Sequence, residues 1–312
     1  MKRTVLTRLM VGLGLIVSLG LTGCSFGPDP ASMTEQEIAE RYFGQVMQIE
    51  YDDQGQVIAL RCVKYKSVVQ ELMDIGLDRQ PPCNFKGAVP PQIGRLGHLE
   101  RLELEGGQVT ALPPQIGQLT NLKRLNLKNT GLTTLPPQIG QLTNLKSLGL
   151  SRNNLTTFPP EISQLTNLTY LSVSDNNLSR LPPEIGRLAK LERLGLGGTG
   201  LTELPQEIGQ LTNLQVLSAN DSQLRILPPE IGNLTNLREL YLNNNNLTDL
   251  PPEIGRLHAL EKLEIKRNQL NTLPAELGQL QQLKLLWASG NKFKRVPDAI
   301  RITLPRTTEI RP

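Results

Sequence analysis

The feature that most constrains this chain is a 23-residue motif that occurs nine times in unbroken register. One clear copy, at residues 181–201, reads LPPEIGRLAKLERLGLGGTGL. Two leucines three residues apart mark every copy, from Leu99 and Leu102 in the first to Leu283 and Leu286 in the last. Because such a period gives every copy the same local structure, the chain is expected to fold as a stack of similar units that share one core.

Each copy is predicted to form a short strand followed by a helical turn. Apolar and polar residues alternate around Leu194, which is typical of a strand with one buried face. A Leu-Pro-Pro run such as that at 250–252 ends the strand because proline has no backbone donor, and Glu253 suits the N-terminus of a helix. A short polar side chain after the strand is expected to bond buried turn backbone. These polar residues are Thr130, Asn153, Asn176, Thr199, Ser222, Asn245, Asn268 and Asn291.

The pattern L-x-x-L-x-L-x-x-N-x-L resembles the leucine-rich repeat family from about residue 89 to residue 300. The runs PPEIG and QLTNL are similar to plant-type and Ras-group leucine-rich repeats and to those of many bacterial proteins. The resemblance implies an α/β fold, a leucine-rich repeat solenoid with a curved parallel sheet on its concave side and short helical turns on its convex side. Residues 89–300 would supply nine strand units of this solenoid.

Residues 1–23 have the features of a bacterial lipoprotein signal peptide. They contain three basic residues, no acidic residue and an apolar run too short to span a membrane. The sequence Leu21-Thr22-Gly23-Cys24 resembles a lipobox, which implies that Cys24 is lipidated and becomes the mature N-terminus. The expected location is the cell envelope, and Ser25 after the cysteine favours the outer membrane if the organism is Gram-negative. An ordinary secretory signal with an incidental cysteine is the alternative.

The regions that flank the repeats are predicted to be a tether, a cap and a tail. Residues 24–32 are small and proline-containing, as in a tether, and residues 33–88 are expected to form an N-terminal cap. Thr34 and Glu37 fit a capping box for a helix that ends at Gly44, and a hairpin with an insertion follows. Residues 301–312 form the C-terminal tail. Its predicted features are an edge strand at Ile302 and Leu304, a loose polar segment from Pro305 to Pro312 and solvated arginines at Arg301, Arg306 and Arg311.

Cys62 and Cys83 bracket the insertion and are predicted to form a disulfide. After export both thiols would meet an oxidising compartment. Two separate buried thiols are the alternative, whereas a metal site is disfavoured because two cysteines with no nearby histidine supply too few ligands. Thiol alkylation without reductant distinguishes the first two possibilities.

Charge and motif content argue against several function classes. The chain has 33 basic and 29 acidic residues, and removal of the three basic residues of the signal leaves 30 against 29. This balance gives no reason to expect nucleic-acid binding. No catalytic triad motif or phosphate-binding loop occurs, and the two histidines, His98 and His258, are expected on exposed loops. We therefore expect a protein that is not an enzyme and has no catalytic residues, no cofactor and no metal.

The outward-facing strand positions are the candidate binding surface. The runs PPEIG and QLTNL barely change between copies, whereas these strand positions differ from repeat to repeat. Exposed aromatic and arginine side chains are the usual anchors of protein interfaces. We predict a monomer that binds a protein partner on its concave face at the cell envelope; a structural spacer or linker without a specific ligand and a signalling scaffold are the alternatives. The candidate partner-binding residues are Tyr170, Arg193, Glu239, Tyr241, Lys262 and Trp287.

The lipid anchor gives the first testable prediction. Replacing Cys24 with Ser is expected to leave an unlipidated precursor, because the variant lacks the thiol that would carry the acyl chains needed for stable anchoring. Metabolic labelling with a fatty-acid probe measures this. Equal labelling of the wild-type protein and the variant would contradict the prediction.

Overall fold

The structure is a computed structural model that describes residues 32–44, 47–62 and 85–311. The predictions for the signal peptide, Cys24, the tether before residue 32, the insertion and Cys83 lie outside the described residues. Cys62 is disulfide-bonded, but its predicted pairing with Cys83 stays a prediction. Within the described ranges, no helix combines the length and the apolar character that a membrane crossing requires.

One twelve-stranded sheet extends through the molecule. It begins with an antiparallel hairpin, as predicted, and continues through parallel strands that pair in register from one repeat to the next. Two further short strands, β3 and β5, pair separately beside the first repeat. The strands are β1 (Met47–Tyr51), β2 (Val57–Cys62), β3 (Lys86–Gly87), β4 (Arg101–Glu103), β5 (Gln108–Val109), β6 (Arg124–Asn126), β7 (Ser147–Gly149), β8 (Tyr170–Ser172), β9 (Arg193–Gly195), β10 (Val216–Ser218), β11 (Glu239–Tyr241), β12 (Lys262–Glu264), β13 (Leu285–Trp287) and β14 (Glu309–Arg311).

The predicted helical turns are confirmed as five-residue 3₁₀ helices on the side opposite the sheet. In one of them the Ile254 amide donates to the Pro251 carbonyl at 3.0 Å, which is the i to i+3 bond of a 3₁₀ helix. A side chain at Gly255 in the same turn would force the next repeat to shift, because a Cβ there would lie 2.5 Å from the Glu276 carbonyl oxygen. The turns are Pro91–Arg95, Pro114–Gln118, Pro137–Gln141, Pro160–Gln164, Pro183–Arg187, Gln206–Gln210, Pro229–Asn233, Pro252–Arg256 and Ala275–Gln279.

A continuous apolar core lies between the sheet and the 3₁₀ turns. The strand leucines, such as Leu194 and Leu217, are fully buried and pair directly across neighbouring strands. Isoleucines of the turns, such as Ile208, meet them from the other side and are equally buried. Since each repeat contributes only a few of these side chains, its stability depends on the repeats before and after it.

The polar side chain after the strand bonds turn backbone in eight of the nine repeats, as predicted, and the asparagines and Ser222 bond backbone groups of two repeats. Asn245 Nδ2 donates to the carbonyls of Leu242 at 3.0 Å and of Ala219, in the preceding repeat, at 2.7 Å. Its Oδ1 accepts from the Leu224 amide, also in the preceding repeat, at 3.1 Å. Equivalent bonds to backbone carbonyls are made by Thr130, Asn153, Asn176, Thr199, Ser222, Asn268 and Asn291.

The residue immediately before this position has a positive φ in all nine repeats, including the first, in which Gly107 takes the place of the polar residue. Glycine, asparagine and aspartate adopt this left-handed conformation more readily than other residues. Arg152 (φ 58°) and Arg267 (φ 51°) adopt it nevertheless, so stacking against neighbouring repeats dictates the turn more strongly than local preference. The nine residues are Gly106, Asn129, Arg152, Asp175, Gly198, Asp221, Asn244, Arg267 and Gly290.

The N-terminal elements extend the core as the sequence predicts. The helix α1 (Glu35–Phe43) begins with the expected capping box: Thr34 Oγ1 accepts from the Glu37 amide at 3.2 Å, and the Glu37 carboxylate accepts from the Thr34 amide at 2.7 Å. The Phe43 ring stacks on Phe85 with centroids 6.4 Å apart. The ring contact packs the C-terminal end of α1 against the segment that leads into β3.

The C-terminal tail differs from the prediction. Ile302 lies in the helix α2 (Asp298–Thr303), so an edge strand at Ile302 and Leu304 is wrong. Ile300 within α2 and Leu304, which caps its C-terminal end, are both buried and close the core. The edge strand of the sheet is instead β14, which pairs with β13. The prediction of a loose segment from Pro305 to Pro312 is therefore wrong at residues 309–311.

Loss of one asparagine side chain is expected to weaken the stack. Asn245→Ala should lower the free energy of unfolding by about 1–3 kcal/mol, because it leaves buried backbone groups of two repeats without partners. Asn246→Ala is the matched control, since Asn246 is exposed, and should change stability by less than about 0.5 kcal/mol. Chemical denaturation followed by circular dichroism measures both. Equal losses in the two variants would contradict this role.

Candidate functional site

The outward-facing side chains of the sheet form columns that cross the repeats. Strand register aligns a first column from Arg101 on β4 to Leu285 on β13 and a second from Glu103 to Trp287. A third column, two residues further along each repeat, contains Lys266. We call these three columns together the concave face.

Four of the predicted binding residues lie close together on β11, β12 and β13. Tyr241 OH donates to Glu239 Oε2 at 2.5 Å, and Lys262 Nζ donates to the same phenol oxygen at 3.4 Å. The Lys262 ammonium also lies over the Tyr241 ring, 4.7 Å from its centroid, and pairs with Glu264 at 2.8 Å. These contacts fix the Tyr241 side chain at the centre of a bonded group.

Trp287 continues the same column and has two cations beside it. Lys266 Nζ lies 3.3 Å from the centroid of the Trp287 ring and Arg311 Cζ lies 5.0 Å away, both within cation–π range. Glu264 separates Trp287 from Tyr241 in the column and accepts from Asn243 Nδ2 at 2.6 Å. We call the following residues the C-terminal cluster: Glu239, Tyr241, Asn243, Lys262, Glu264, Lys266, Trp287 and Arg311.

The protonation states in the C-terminal cluster follow from these contacts. Burial and the hydrogen bond to Glu239 raise the pKa of Tyr241, although Lys262 opposes the shift. Burial opposes ionisation of Glu264, but hydrogen bonds from Lys262 and Asn243 outweigh it and lower the pKa of that carboxyl. The bond to Glu264 raises the pKa of Lys262. At neutral pH the cluster therefore contains a neutral phenol beside a charged lysine–glutamate pair.

Tyr170 and Arg193 form a separate part of the predicted surface. They are direct neighbours on β8 and β9, both are exposed, and Tyr170 retains 40% of its accessible surface. Three strand spacings separate Tyr170 from Glu239, which is about 14 Å. Small residues such as Gly195 and Ser218 occupy the second column in between. The structure thus divides the six predicted residues into two groups.

The sequence reasoning missed Asn243, Lys266 and Arg311. Asn243 and Lys266 continue the strand alternation by two residues beyond the second column, so an extension of the same pattern would have found them. Arg311 is exposed, as expected, but it also lies beside Trp287 and pairs with Glu309 at 2.6 Å. No repeat signal could place it, because β14 lies outside the repeats.

The described residues contain no group of three or more His, Cys, Asp or Glu side chains that could hold a metal ion. His98 is exposed, and its Nδ1 lies 3.0 Å from Glu35 Oε1 on α1. This contact joins the first repeat to the N-terminal helix.

The sequence and the fold of this chain are similar to those of known proteins. The sequence profile of the leucine-rich repeat region matches residues 117–198, 160–244 and 229–303, which together are more than half of the chain. A search of curated proteins finds no match. A leucine-rich repeat protein of Leptospira interrogans is 37% identical, with a TM-score of 0.60, and the alignment covers 72% of this chain and 62% of that protein.

Two plant receptors of known structure are also similar. The Arabidopsis thaliana receptor kinase ectodomain GASSHO1/SCHENGEN3, in complex with Casparian strip integrity factor 2, is 32% identical (TM-score 0.61; 73% of this chain, 31% of that one). The Arabidopsis receptor kinase HAESA, in complex with the peptide hormone IDA and the co-receptor SERK1, is 32% identical (TM-score 0.60; 67% and 36%). The chain spans less than two thirds of each of these three proteins. On these matches, the chain belongs to the leucine-rich repeat family.

Proposed function

We propose that this protein binds a protein partner through its concave face while a lipid on Cys24 holds it at the bacterial cell envelope. The observation that carries the proposal is the C-terminal cluster, in which two aromatic side chains stand among hydrogen-bonded charges on the outward side of the sheet. The 3₁₀ turns on the opposite side of the molecule have nearly the same residues in every repeat. The residues that determine which partner binds are therefore expected on the sheet.

The bonding within the C-terminal cluster suits recognition. Tyr241 and Trp287 supply apolar area, and their neighbours restrict the side-chain motion that binding would otherwise have to remove. Both side chains remain partly exposed, so a partner can cover them. Interfaces commonly concentrate binding energy in such aromatic anchors surrounded by polar groups.

The family supports a binding role in general terms. Leucine-rich repeat proteins are generally non-enzymatic binding scaffolds, and the two Arabidopsis receptors are seen with bound partners. We extend to this chain only the use of the solenoid as a binding surface. No enzymatic role, cofactor or nucleic-acid partner is part of the proposal, and the binding form is taken to be a monomer.

The envelope location is proposed on the sequence of residues 1–24. The basic start, the short apolar run and the cysteine at position 24 are together typical of an exported, lipid-anchored protein. Residues 25–32 would then separate the membrane surface from α1. Such an arrangement leaves the concave face accessible to other envelope proteins.

Removal of either aromatic side chain tests the binding site. Tyr241→Ala and Trp287→Ala are each expected to cost about 1–4 kcal/mol of partner binding, because each removes an anchor from the centre of the interface. Partners are first captured from envelope extracts by the wild-type protein and by the variants, and the captured amounts are compared. The affinity of each variant for the captured partner is then measured.

The control is Gln210→Ala, an exposed side chain on a 3₁₀ turn of the opposite side, which should leave capture unchanged. Thermal melts of all three variants should stay close to that of the wild-type protein. Undiminished capture by both aromatic variants would show that the C-terminal cluster is not the binding site. Absence of any partner of the wild-type protein would favour a spacer.

A further inference from the structure

A region where the concave face meets the residues that precede its strands has a different chemistry from the C-terminal cluster. Beside Tyr170, residues at the N-terminal ends of neighbouring strands form an open surface hollow of about 590 Å³. Four of its lining residues, from three successive repeats, are basic. The lining residues are Glu100, Arg101, Lys123, Arg124, Lys146, Ser147, Thr169 and Tyr170. We call this hollow, together with Arg193 next to Tyr170, the basic hollow.

We propose that the basic hollow binds an acidic, extended segment of the protein partner. This inference rests on the proposed function, since it names the chemistry of the partner for the same face. It concerns residues on or immediately before β4 to β9, whereas the residues of the C-terminal cluster lie on or shortly after β11 to β14. The two regions can therefore be tested separately.

The ion pairs of this region leave positive charge uncompensated. Buried Glu50 accepts from Arg101 at 2.7 Å and pairs with Arg61 at 3.2 Å, so one carboxylate serves two guanidinium groups. Glu103 has a similar role, with contacts of 3.7 Å to Arg61 and 4.0 Å to Arg124. Three arginines thus share two acids, and the Arg124 side chain remains 58% exposed.

Two further cations have no acidic partner among the described residues. Lys146 and Arg193 are exposed and form no ion pair there, whereas Lys123 pairs with Glu100. The mature chain as a whole is nearly neutral, so this local excess is not a consequence of a basic composition. An acidic partner would supply the missing counter-charges, which favours fast and specific association.

The spacing of these cations fits an extended peptide. Lys146 immediately precedes β7 and Arg193 begins β9, so two strand spacings, about 10 Å, separate their backbones. Three residues of an extended chain span about 10 Å. Tyr170 lies on the strand between them and offers an exposed ring to the intervening side chains. A segment with acidic residues three positions apart matches this arrangement.

A nucleic acid fits less well than such a peptide. Duplex DNA carries one negative charge per about 1.7 Å of its axis, so a bound duplex would bring phosphates near every acid of the region. Glu100 and Glu103 lie among the cations and would repel it. An acidic peptide can place its few carboxylates at the uncompensated cations and avoid these two glutamates.

The test uses the whole protein and a fluorescein-labelled peptide of repeated Glu-Ser-Gly. An equally long labelled peptide of repeated Lys-Ser-Gly is the oppositely charged control. Fluorescence anisotropy should detect binding of the glutamate peptide only, and added salt should weaken it. Lys146→Glu and Arg193→Glu should each weaken binding by about three- to tenfold, because each reverses an unpaired charge. The double variant should instead bind the lysine peptide.

Two controls separate this inference from general charge effects and from the proposed function. Lys294→Glu reverses an exposed lysine beyond the last repeat strand and should leave peptide binding unchanged. Tyr241→Ala and Trp287→Ala should also leave it unchanged even where they abolish partner capture, so failure of one site does not imply failure of the other. Equal loss in Lys294→Glu, or equally tight and Lys146-dependent binding of duplex DNA or heparin, would overturn the proposal.

Discussion

The concave face depends on the stacking of each repeat on the one before it. A single strand of three residues with one 3₁₀ turn cannot bury enough apolar surface to be stable alone. Stacking aligns fully buried leucines such as Leu194 and Leu217, and it allows Asn245 to bond backbone groups of its own repeat and of the preceding one. The same contacts impose a left-handed turn even on Arg152. Position in the stack therefore determines local conformation.

This stacking also explains why function can vary while the fold does not. The core and the turns use the inward positions, so the outward positions carry no structural role that requires one residue type. Strand spacing of about 4.8 Å then sets the distances between functional groups on the face. Aromatic residues with fixed charges gather on β11 to β14, whereas uncompensated cations gather on β4 to β9. One rigid sheet thus presents two chemically distinct surfaces, with small residues between them.

The repeats and their bonding could be predicted from the sequence because the period repeats the same local physics nine times. The hairpin and the capping box at Thr34 carried their own short-range signals and were confirmed. Features that depend on the ends of the array could not be predicted in this way: Ile302 and Leu304 were expected in a strand, yet Ile302 lies in α2 and Leu304 caps its end, and only β14 brings Arg311 to Trp287. The sharing of Glu50 between Arg61 and Arg101 likewise joins residues far apart in sequence.

Site-specific photo-crosslinking in intact cells tests most directly whether the concave face is the binding surface. A photoreactive amino acid at Ser218, on the concave face between the two surfaces, probes a position that faces outward from β10. The same amino acid at Gln210 probes the opposite side of the same repeat. The account predicts protein adducts from position 218 and none from position 210. Adducts from position 210 alone would contradict it.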